Sequence, residues 1–149
     1  MEVKKILCAV DLEDTIASSV EYAKMMASMT GASILVAYVI PAHTPYEDVY
    51  LSVNNQPNEV NNPNETIQKS MNALLAEQFA GMDATGVILV GRPSEELVKL
   101  AEEKGANLIV MGTHGRAGFD RLLFGSVAHE VVRAAPCPVM TVRPLMPKK

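Results

Sequence analysis

Strand-like and helix-like periods alternate along this chain, and that alternation constrains the fold more than any other feature. Ile6 to Val10 is a short apolar run. Asp14 and Thr15, either able to cap a helix, precede Ile16, Val20, Ala23 and Ala27 at helical spacing, and Gly31 closes that helix. Ser33 to Ile40 reads as a second buried strand. Glu65 to Phe79 reads as a helix with an apolar stripe of Met71, Leu74, Leu75 and Phe79, and Ala84 to Val90 as a third strand. Gly91-Arg92-Pro93 then opens a helix sharply. Proline stands where the first helical residue needs no amide donor, Glu95 and Glu96 follow in the first turn, Lys99 and Lys104 come later, and Gly105 ends it. Leu108 to Met111 is the fourth strand, Ser126 to Ala135 the last helix and Val139 to Val142 the fifth strand. Near-continuous apolar strands joined through helices predict an α/β fold, an open parallel sheet covered on both faces. Right-handed crossovers with one switch of winding direction give the Rossmann-like order 3-2-1-4-5, with strands one and four adjacent.

The 149 residues suit one domain over 1–149 with an independent core. Within it, Pro41 to Asn64 has four prolines, clustered asparagines and no sustained period, so 41–64 reads as a long mobile loop. A formal net charge of −4 without a basic run argues against nucleic acid as partner, so any anion must be held locally. Cys8 and Cys137 form neither a disulfide framework nor a metal-ligand spacing, and a reducing cytoplasm is the expected location. No apolar run approaches the roughly 18 residues of a membrane span, so no membrane insertion is expected.

Ligands in open α/β sheets bind beyond the carboxyl ends of the strands at the switch point. Strand one leads there to Asp11 and strand four to Gly112. After Gly112 come two residues, Gly115, nine residues, Gly125 and then Ser126: glycines that let backbone amides approach a polyanion without an intervening Cβ. Placing a helix start at Ser126 would turn Gly125, Ser126 and Val127 toward phosphate oxygens with their amides and the Ser126 hydroxyl. There is no Gly-Lys-Ser or Gly-Lys-Thr, which excludes a P-loop, and Asp11-Leu12-Glu13-Asp14 replaces the dinucleotide glycine fingerprint after strand one. Arg116, beside Gly115, is the better placed of the two loop arginines for a phosphate contact, Arg121 being the other. His114, His43 and His129 are too scattered to form a zinc set. Asp11 has the chemistry to meet a magnesium–nucleotide complex, since Mg²⁺ is typically held by one or two carboxylates together with phosphates and water. Asp14 reads as a helix cap and Glu13 as a solvated loop residue. Ser126 reads as a capping and phosphate-contact residue, and Cys8 as core filler, so no nucleophile and base pair stands out.

These residues resemble the universal stress protein family, in its ATP-binding subtype with the G-2x-G-9x-G-S/T motif. Lys5-Ile6-Leu7 leading into Val10-Asp11, Tyr38-Val39-Ile40, Asn107 to Gly115 and Pro136-Cys137-Pro138-Val139 carry the likeness across nearly the whole chain. The resemblance implies the 3-2-1-4-5 sheet and ATP or AMP as ligand, with adenine between the ends of strands one and two. It implies Asp11 and Val39 at adenosine. Met111, Gly112, Gly115 and Arg116 would run along ribose and phosphates, and Gly125, Ser126 and Val127 would stand at the phosphate end. Ala9 replaces a proline found in some nucleotide-binding members, though its backbone still suits the base. Ala117 lacks a hydroxyl found in some relatives. The resemblance also implies a homodimer through the apolar strand 139–142, an edge that would otherwise invite aggregation.

Two classes of function fit. The first is a stress-response or regulatory module that binds ATP or AMP, changes its contacts with a protein partner accordingly and hydrolyses ATP slowly at most. The second is an enzyme, either a partner-dependent ATPase or an adenylyl-transfer enzyme of related fold, which would need a positioned base or lysine beside the phosphates. A dimeric stress protein without nucleotide would carry bulky residues at 115 or 125, where this chain has glycine.

Overall fold

Lys5–Ala9 forms β1, and four of its five residues are buried, as expected of a strand flanked on both sides and covered on both faces. The computed structural model describes residues 2–12, 18–41, 63–113 and 121–143. Beyond β1 these contain α1 (Ser18–Thr30), β2 (Ser33–Pro41), α2 (Pro63–Gln78), β3 (Ala84–Gly91), α3 (Pro93–Lys104), β4 (Leu108–Gly112), α4 (Arg121–Ala134) and β5 (Val139–Val142). All strand pairs are parallel and their order is β3-β2-β1-β4-β5, as the alternating pattern predicts. The proposed cap at Asp14 and Thr15 lies outside the described residues. Most of the expected 41–64 loop does too, its ends being taken into β2 at Pro41 and α2 at Pro63.

Side-chain alternation along the strands divides the core in two. On one face Ile6, Cys8, Ile34, Val36 and Val110 pack with Val20 and Ala23 of α1 and Met71 of α2. On the other, Leu7, Leu35, Ala37 and Ile109 pack with Leu97 and Leu100 of α3 and Ala128 and Val131 of α4. Gly86 on β3 is needed for close approach, because a Cβ there would stand 2.7 Å from Cγ of the buried Met71. Gly105 ends α3 at φ 67°, in the left-handed conformation that spares glycine the Cβ penalty.

The start of α4 differs from the expectation. It begins at Arg121, not Ser126, so Gly125, Ser126 and Val127 lie in its second turn. Leu122, Leu123 and Phe124 prolong the apolar pattern of Val127, Ala128 and Val131 upstream. A glycine inside a helix costs only about 1 kcal/mol, too little to stop it there. The free amides of a helix are those of its first turn, so the amides of Gly125, Ser126 and Val127 are not the free helix-end donors expected of them.

Candidate functional site

Because all five strands are parallel, their carboxyl ends share one edge of the sheet. The ladder between β1 and β4 is short: Ile6 pairs with Leu108, Leu7 with Ile109 and Cys8 with Val110. Beyond that point β1 stays with β2, through the Ala9–Ala37 pair and the amide of Val10 donating to the Ala37 carbonyl at 2.9 Å. In the same way β4 stays with β5, through the Gly112–Val142 pair and the amide of Thr113 donating to the Val142 carbonyl at 3.0 Å. The two central strands therefore part at the switch point, with Ala9 to Asp11 on one side of the gap and Met111 and Gly112 on the other.

The expected site residues fall around this gap in different ways. Ala9, Val39 and Met111 are buried in the core on the α3 and α4 face, so whatever they present to a ligand is main chain. Asp11 and Gly112 are half-buried at the strand ends, Val127 is half-buried on α4 and Ser126 is exposed there. Gly115 and Arg116 lie outside the described residues. Among the described residues no three His, Cys, Asp or Glu side chains gather as a metal site, so a cation beside Asp11 would need further ligands from phosphate and water.

Cys8, next to Ala9, is fully buried. Its Sγ is 3.8 Å from the Ser19 carbonyl oxygen, and burial pushes the thiol up to about 12 against the smaller opposing effect of the Ser19 contact. Ser19 in turn donates to the Ala9 carbonyl at 3.4 Å, tying α1 to the end of β1.

A second polar group near this edge joins α3 to α4. Glu130 accepts a bond from Nη2 of Arg92 at 3.0 Å and a short one from the hydroxyl of buried Ser94. The Ser94 hydroxyl is the main reason its carboxyl lies below the usual range; partial burial opposes the shift and Arg92 reinforces it. Arg92 also reaches Glu95 at 3.5 Å. In the sequence Arg92 reads only as part of a helix start, and Glu130 carries no signal of its own. Thirty-eight residues separate the pair, and no local pattern announces it.

The universal stress protein family model matches residues 2–143, almost the entire chain. The chain belongs to the universal stress protein family. Universal stress protein MJ0577 of Methanocaldococcus jannaschii is 28% identical over 94% of both chains. The solved structure of that protein superposes with a TM-score of 0.78 at 26% identity, covering 99% of this chain and 100% of that one. Two further family structures share the fold. A universal stress protein in complex with cAMP superposes at TM-score 0.69 and 23% identity, covering 96% of this chain and 98% of its own. The Archaeoglobus fulgidus protein in complex with dAMP superposes at 0.57 and 24%, covering 95% and 98%. This universal stress protein thus has the family's parallel α/β sheet, and among its described residues no helix is long and apolar enough to cross a membrane.

Proposed function

We propose that this universal stress protein binds an adenine nucleotide, ATP or AMP, in the gap where β1 and β4 part, and works as a cytoplasmic regulatory module with slow ATP hydrolysis at most. The observation that carries the proposal is the parting itself: it leaves the two central strand ends without a shared ladder beyond Cys8 and Val110. The glycine pattern starts at Gly112 on one lip of this gap, and Asp11 stands on the other. Relatives of the same fold that bind cAMP and dAMP support an adenine ligand.

In this arrangement the main chain of Ala9 and Val39 lines the base and the Asp11 carboxylate accepts from a ribose hydroxyl. Met111 and Gly112 follow the ribose toward the phosphates. Gly115 and Arg116 take the phosphates from the loop side. The missing side chain at Gly125 and the hydroxyl of Ser126 receive the phosphate end, with Val127 beside them. Mg²⁺, where present, neutralises phosphate charge, with Asp11 as its protein ligand. Binding rather than catalysis is favoured because the sequence from Gly112 to Ser126 contains no lysine to act beside the phosphates. The nucleotide would alter contacts with a protein partner. Two copies would associate through β5, the apolar strand at one end of the sheet order, so that the β5 edge of neither copy stays bare.

Mass spectrometry of the denatured, purified protein tests the ligand directly; a released adenine nucleotide is expected. Saturating ATP should also raise the melting temperature, since ligand at 100 times Kd stabilises by about 2.7 kcal/mol. Gly125→Val should abolish that rise while leaving the far-ultraviolet circular dichroism intact. A protein that releases no nucleotide and gains nothing from ATP overturns the proposal.

A further inference from the structure

We propose that Glu130 is a positioning residue for the phosphate end of the nucleotide site, acting through Ser94 and Arg92; this rests on the nucleotide proposal above. Ser126 and Glu130 are four residues apart on α4 and so lie on one side of it, a turn apart. Where Glu130 is held, Ser126 is held.

What holds Glu130 is the start of α3, a rigid piece of chain. Gly91 closes β3 in register with Pro41 of β2, and Pro93 fixes the first helical residue. The Arg92 carbonyl accepts the Glu96 amide at 3.0 Å. Ser94, only 5% exposed, gives Glu130 a short hydrogen bond, and Arg92 closes the clamp at 3.0 Å. The carboxylate also stands at the first turn of α3, where the helix dipole favours negative charge. The Arg92 contact alone would fix little, because both partners are more than a third exposed. The buried hydroxyl matters more, since without Glu130 it would have no acceptor in that position.

Apolar packing does not do the same work. Ala128 and Val131 seat α4 on the sheet, but contacts between aliphatic groups are non-directional and leave a helix some freedom to slide or turn about its axis. A binding group must be held to about 0.5 Å, a tolerance that directional bonds supply. Only the phosphate end depends on α4, while the strand ends of β1 and β2 serve the adenosine. Glu130 should therefore govern how much the phosphates add to binding.

Calorimetric titration of ATP and of adenosine separates these roles in the full chain. In Ser94→Ala and in Glu130→Gln, ATP affinity is expected to fall about three- to ten-fold, as for residues that act on a site through neighbours. Adenosine affinity should stay unchanged, and Ser94→Thr, which keeps the hydroxyl, should restore ATP binding. A general loosening of the fold would weaken both ligands alike, so equal losses overturn the proposal, as does unchanged ATP affinity in both variants. Wild-type protein that binds neither ligand overturns the nucleotide proposal itself, and this one with it.

Discussion

At the amino edge of the sheet the chain closes on itself, whereas at the carboxyl edge its central strands separate. Along the amino edge, Oδ1 of Asn107 accepts the amides of Lys4 at 2.8 Å and Lys5 at 3.0 Å, and the Asn107 amide donates to the Lys5 carbonyl at 2.8 Å. The Lys4 carbonyl accepts the Ser33 amide at 3.0 Å, and the Asp83 carbonyl accepts that of Ile34 at 2.8 Å. Each strand is stitched to its neighbour before it enters the sheet. At the other edge the stitching runs within the pairs β1–β2 and β4–β5 and stops between them. Polar backbone groups are expensive to leave unsatisfied in the interior, so an edge whose strands bond one another stabilises the fold, and one whose central strands part leaves room between them for a ligand.

The largest effect that would break this contrast is at Asn107. Asn107→Ala removes the acceptor of two strand amides and should lower stability by about 1–2 kcal/mol, read by urea denaturation, while the ATP-induced melting shift survives. An Asn107→Ala protein of normal stability that lost the shift would assign Asn107 to the wrong edge. Gly105→Ala, at the same edge, forces a Cβ into the left-handed region and should cost about 1 kcal/mol by the same measurement, again without effect on nucleotide. Asp11→Asn sharpens the comparison from the other side. It should reduce the melting shift given by ATP. A full shift would remove Asp11 from the site.

The smallest effect is the response to acid. The folded pKa of Glu130 is below its reference value of 4.5, so the folded state favours the charged form. Its contribution to stability is complete above that value and is lost as pH falls through the lower, folded one. Glu130→Gln should therefore flatten the acid limb of the stability profile below about pH 4.5 and leave the neutral region unchanged in shape. An acid limb identical to wild type would show that Glu130 carries no such linkage.

Much of the fold was legible because each strand is apolar and each helix is bounded by residues with a backbone reason to be there. Val139–Val142 matches its expected bounds, and β2, β3 and β4 each extend one residue beyond theirs. Pro93 and Gly105 bracket α3 as their chemistry requires. The start of α4 is hidden in the sequence because Gly125 looks like punctuation, and only the helical spacing of the residues before it argues otherwise. The strand-end residues Asp11, Met111 and Gly112 could be found from topology, since the switch point follows from strand order. The parting of β1 from β4 after Val110 could not, because apolar runs do not say where a ladder stops. Nor could the Met71–Gly86 contact or the Glu130 clamp, which join residues brought together only by the finished packing.

The place of β1 at the centre of the sheet also sets an order of assembly. It pairs first with β2, which follows closely in the chain, but its other side must wait for β4, and Ile6 and Leu108 are about a hundred residues apart. Closing so long a span is entropically slow. During synthesis on the ribosome, this buried central strand thus spends the emergence of two helices and a strand with one flank bare, and shielding that flank is a task for the nascent chain long before any ligand arrives.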